Sequence, residues 1–69
     1  NADALLTQRE LETLKLIAKG MSNEMIAKKM GVQEQTISAY VSIILSKLNL
    51  KNRTQAALYA LKEGLEDLG

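Results

Sequence analysis

The sequence contains no cysteine, no histidine, no proline, no tryptophan and no phenylalanine, and only two tyrosines among its 69 residues. Each absence excludes something. Without cysteine there is no disulfide framework, no thiolate metal site and no cysteine nucleophile. Without histidine the commonest general base and metal ligand are gone. No apolar run approaches the roughly 18 residues that span a bilayer, and nothing resembles a signal peptide. A soluble, cytoplasmic protein that binds no membrane, metal or cofactor is the expectation. An enzyme is not expected, because no paired carboxylate or glycine-rich phosphate loop offers a constellation on which to build a site.

What is present is helical punctuation. Thr7-Gln8-Arg9-Glu10 spells a capping box, with Leu6 and Leu11 placed as a hydrophobic staple. Leu11, Leu14, Ile17 and Ala18 recur at helical spacing, and Gly20 supplies a left-handed stop. Ser22 caps a second, short helix that carries Ile26, Ala27 and Met30 and closes at Gly31. A third begins near Glu34. Its apolar positions Ile37, Val41, Ile44, Leu45 and Leu48 fall within about 100° of arc when residues advance by 100° each. Asn52 caps the last helix and Gly64 ends it. No stretch alternates with period two. The expected fold is all-α, a compact four-helix bundle forming a single domain over 1–69, with helices at about 8–19, 23–30, 34–48 and 53–63.

The break at Gly31-Val32-Gln33 is tight, and a longer helix starts immediately after it. Ala27, Gly31 and Ile37 supply the small contact, the positive-φ turn and the apolar anchor that a helix-turn-helix requires. An ordinary helical hairpin would share this pattern. The outward face of the third helix is more informative. Gln35, Ser38, Ala39, Ser42 and Ser46 lie there, none of them large and none charged. Short side chains allow close approach, and hydroxyls and amides can read base edges in a major groove. Small residues packing another protein are the competing explanation.

Charge is distributed to match. The net charge is only +1, but from Lys19 to Arg53 six bases face two acids, and both ends of the chain are acidic. Such asymmetry suits a domain that offers one face to phosphate. Lys47 and Arg53 stand beyond the far end of the outward face, while Ser22 and Asn23 open the second helix, whose free amides attract phosphate. Readers flanked by phosphate contacts is the usual division of labour.

The run LTQRELETLKLIAKGMSNEMIAKKMGV, followed by QTISAYVSIILSKLNLKNRTQAALYAL, resembles the LuxR/NarL-type effector domain of bacterial transcription factors. The resemblance covers roughly residues 5 to 63. It implies a four-helix domain that binds duplex DNA, often as a dimer through the last helix, with the third helix as recognition helix. It places Gln35, Ser38, Ala39 and Ser42 at base or near-base contacts, and Asn23, Thr36, Tyr40, Lys47 and Arg53 at the DNA backbone. This chain departs from the family at Ser38, commonly lysine, at Tyr40, often histidine, and at Ile43, often polar. Loss of that lysine implies weaker monomer affinity or an altered site sequence.

Family members usually carry a receiver or ligand-sensing domain before the effector domain. A helix cap as early as Thr7 agrees with a domain excised from the C-terminal end of a longer response regulator, with an N-terminal receiver domain expected before it; a complete stand-alone regulator is the alternative. The last helix bears six successive apolar residues, Ala56 to Leu61, which wrap its whole circumference. One side must cover the core. The other, including Ala57, Ala60 and Leu61, is the expected homodimer contact, weak in isolation. Alanines that merely favour helix are the simpler explanation. A rival function is a helical protein-docking module such as a sigma-factor-like domain.

Overall fold

Side-chain caps set where three of the described helices begin. In the computed structural model, which describes residues 5–64, α1 spans Gln8–Ala18, α2 Asn23–Met30, α3 Glu34–Lys47 and α4 Arg53–Lys62. No strand occurs among the described residues. The ends of the expected 1–69 span fall outside them. The Thr7 side chain accepts from the Glu10 amide at 3.2 Å and Glu10 Oε1 accepts from the Thr7 amide at 3.0 Å, the reciprocal box that the sequence spells. Ser22 accepts from the Met25 amide and Asn52 from the Gln55 amide, so α2 and α4 start on side-chain caps as well. α3 has no such bond at Gln33. Helices α1, α3 and α4 each stop one residue short of the expected end.

Two left-handed residues make the turns that matter for the site. Gly31 has φ +71°, and the Val32 amide reaches back to the Ala27 carbonyl at 3.0 Å, which closes α2 and lets α3 leave at once. Asn49 has φ +57° and closes α3 in the same way, the Leu50 amide bonding to the Leu45 carbonyl at 2.9 Å. Asparagine is among the few residues besides glycine that adopt this conformation readily. Sequence reading singled out Gly31 but not Asn49.

The core has two connected parts. Leu6, Leu14, Ile44, Ala56 and Ala60 form one, where α1, α3 and α4 meet. Leu16, Ile17, Ile26, Ala27 and Ile37 form the other, where α2 and α3 lie against α1. Ile37 and Ile44 are completely buried, so α3 contributes to both and is fixed along its inner side. Thr13 is buried too; its hydroxyl donates to the Arg9 carbonyl at 2.9 Å and lies 3.5 Å from Met30 Sδ. A radius of gyration of 10.8 Å matches the roughly 11 Å expected for a compact chain of this length. No described helix is long and apolar enough to cross a membrane.

Candidate nucleic-acid interface

Because Ile37 and Ile44 hold α3 by one side, its opposite side is presented outward. Gln35, Ser38, Ala39, Ser42 and Ser46 are all exposed. The four residues assigned to base edges from the sequence therefore share one open, uncharged surface on a helix anchored from behind. Thr36 and Tyr40, assigned to the DNA backbone, are half-buried on the flanks, and Tyr40 packs against the α2-side core. Among the described residues Ile43 is the one large hydrophobic side chain of α3 that is exposed, at 39%.

The start of α2 is tied to this surface. Asn23 Nδ2 donates to Ser38 Oγ at 3.5 Å, a contact at the edge of hydrogen-bonding range. Arg53, at the start of α4, donates through one guanidinium nitrogen to Asn23 Oδ1 at 2.5 Å and through the other to the Met21 carbonyl at 2.6 Å. One arginine thus fastens the α1–α2 connection and the opening of α2 to α4. Sequence reading gave Arg53 to a DNA phosphate. Its fork is engaged inside the protein, so its first role is to position Asn23, and through Asn23 the Ser38 hydroxyl. A Ser38 oxygen that accepts from Asn23 leaves its own O–H free to donate to an acceptor on a base.

Lys47 also has a partner that its spacing gave no hint of. Its Nζ lies 2.8 Å from Glu10 Oε1, the carboxylate of the α1 capping box. The Glu10 side chain is only 8% exposed, against 36% for Lys47. The lysine hydrogen bond, and after it the Thr7 amide, hold the Glu10 carboxyl below its ordinary pKa, against an opposing effect of burial. Lys47 uses one donor here and has two more. It can therefore brace the bundle and still face a phosphate. Lys28, Lys29 and Lys51 are exposed, Lys28 in a loose 3.9 Å pair with Glu24 of the kind that contributes little. Ser22, the remaining phosphate candidate, is exposed at the α2 N-terminus with its hydroxyl engaged as the cap.

The last helix corrects one assignment. Ala60 is fully buried, with Ala56, between α4 and its neighbours, and cannot meet a second copy. The apolar side chains that α4 leaves open are Leu58, 60% exposed, and Leu61, 40% exposed, with Ala57 half-buried beside them. Leu58 was passed over because the alanine run gave no way to tell inner from outer.

With this geometry in place, the comparisons with known proteins are specific. Residues 4–60 match the family model described as bacterial regulatory proteins, luxR family. The chain belongs to this family. Among curated relatives, this luxR-family chain is 49% identical over 61 residues to the response regulator protein VraR of Staphylococcus aureus, and equally to that of Staphylococcus saprophyticus. The matched region is 88% of this chain but 29% of either relative, so the chain spans less than a third of their length. Among solved structures, that of the transcription factor GerE superposes with a TM-score of 0.80 at 32% identity, covering 94% of this chain and 97% of that one. The all-α fold and its helix-turn-helix are those of the luxR family of bacterial regulatory proteins.

Proposed function

We propose that this luxR-family chain binds duplex DNA in a sequence-dependent way and acts as the effector module of a bacterial response regulator. In this reading α3 enters the major groove, and Gln35, Ser38, Ala39 and Ser42 meet base edges. Ser22, Asn23, Thr36, Tyr40, Lys47 and Arg53 lie toward the phosphates, Arg53 chiefly by holding Asn23 in place. The observation that carries the reading is the exposed, uncharged side of α3 set directly behind the buried Ile37 and Ile44. A face meant only for water would carry lysines and glutamates, as α1 does; this one is bare where a groove floor would approach.

The relatives named response regulator support a full-length protein with a receiver domain preceding this one, working in the cytoplasm. The open Leu58 and Leu61 support a weak homodimer through α4 that tightens on DNA carrying two half-sites. Symmetric half-sites follow from a two-fold protein pair.

Salt-dependent titration tests the reading. A domain making four or five phosphate contacts loses affinity with a log–log slope near −4 between about 50 and 200 mM salt. Duplexes recovered from a random library should bind more tightly than the unselected pool. A helical docking module would bind no duplex even at low salt, and that result would overturn the proposal.

A further inference from the structure

We propose that Ile43 is a specificity-determining residue of this chain that selects thymine by contact with its C5-methyl group. The inference rests on the DNA-binding reading above and extends it. Ile43 borders the bare strip of α3, about 40° around the helix axis from Ala39 and 60° from Ser46. It stands outside the arc that buries Ile37 and Ile44, and it is 39% exposed. Ala39, one turn before it, is exposed as well. A helical side chain leans over the turn that precedes its own Cα, so Ile43 and Ala39 together form a short apolar ridge among hydroxyl neighbours.

The chemistry of a groove floor restricts what such a ridge can recognise. Major-groove edges present donors and acceptors at every base pair, and the one apolar group among the natural bases is the thymine methyl. A branched side chain with little rotamer freedom meets that methyl without losing much entropy, because its χ1 is already restricted. It gains nothing from an amide or carbonyl edge, and it desolvates that edge without a partner. Ala39 and Ile43 are separated by about 6 Å along the helix. That matches about two base-pair steps of roughly 3.4 Å, so each can address a different pair. Ser38 and Ser42 supply polar contacts alongside, and Ile43 supplies the apolar one.

The probe is uracil. In a duplex recovered from a random library, each thymine is replaced singly by deoxyuridine, which keeps the pairing edge and removes only the methyl. Affinities are measured by fluorescence anisotropy for the wild-type chain and for Ile43→Ser, with circular dichroism to confirm that the variant is folded. At one thymine the wild type should weaken about fourfold, the effect of one methyl-sized group. Ile43→Ser should bind the thymine duplex about that much more weakly and be indifferent to uracil there. Ile43→Val should keep most of the methyl dependence. With 5-methylcytosine in place of plain cytosine at that position, the wild type should tighten about fourfold, the same contact from a second source.

Binding that persists with no thymine sensitive to its methyl overturns the inference and leaves the DNA reading intact. Methyl sensitivity retained in full by Ile43→Ser overturns it too, since another residue would then make the contact. A change in sedimentation caused by Ile43→Ser, with methyl dependence untouched, would mean that Ile43 meets protein instead of base. Failure of the folded wild-type chain to bind any duplex removes both the inference and the function beneath it.

Discussion

Replacing Lys47 by methionine keeps most of the side chain's apolar stem and removes the charge that faces Glu10. In the native fold Lys47 Nζ sits 2.8 Å from a carboxylate that is 8% exposed, so the variant leaves Glu10 shielded from water with Thr7 as its remaining partner. Breaking a fully buried pair costs about 3–5 kcal/mol. Lys47 is 36% exposed, and water screens and replaces part of the interaction, so about 1–2 kcal/mol is the reasoned loss. For a domain of this size that lowers the unfolding midpoint by about 4–16 °C at pH 7. The pH dependence is diagnostic. Glu10 has a lowered pKa in the fold, so the pair's stabilisation is complete above the unfolded carboxyl value of about 4.3 and disappears as pH falls through the lower folded value. Thermal melts followed by circular dichroism should therefore show a larger gap between wild type and Lys47→Met at pH 7 than at an acid pH below about 4.3. An equal gap at both pH values, or none at pH 7, would refute the reasoning.

Three further outcomes follow from the same structure. A Cβ on Gly31 would meet no atom within 4 Å, so only backbone conformation resists substitution there; Gly31→Ala should cost about 1–2 kcal/mol in denaturant melts and Gly31→Asn distinctly less. Equal losses from the two would point to crowding. Ser42→Ala should alter preference at one base pair in a competition assay, whereas Lys47→Met should weaken all duplexes alike and reduce the salt slope by about one. Identical profiles for the two would undo the division between base-reading and phosphate-facing residues. Leu61→Glu should leave the melting temperature within a few degrees, since Leu61 is exposed, and should abolish any concentration-dependent sedimentation of the chain. Persistent self-association would place the interface elsewhere.

The parts of the fold that were legible in the sequence are those governed by neighbours within four positions. Thr7 and Glu10 meet across three residues, and the 3.6-residue period of Ile37, Val41 and Ile44 fixes which side of α3 turns inward, hence which side is open. The exposed strip was visible for that reason. Contacts that span the chain were not. Nothing local to Lys47 announces a carboxylate 37 positions earlier, and nothing local to Arg53 announces Asn23 and Met21. Both were assigned to phosphate on charge and position, and both turn out to be fastened to the protein first. Ala60 failed for a different cause. An apolar run that encircles a helix has no direction, so periodicity cannot distinguish the buried 56 and 60 from the open 58 and 61.

That encircling run has a consequence for how such a molecule can change. Ala56 and Ala60 are fully buried in the core that α4 shares with α1 and α3, while Leu58 and Leu61 of the same ten-residue element are exposed. The two sets do not share neighbours in the interior, so substitutions in one are close to independent of the other. A lineage can rewrite the outward side of this helix, letter by letter, while the architecture beneath it stands unaltered.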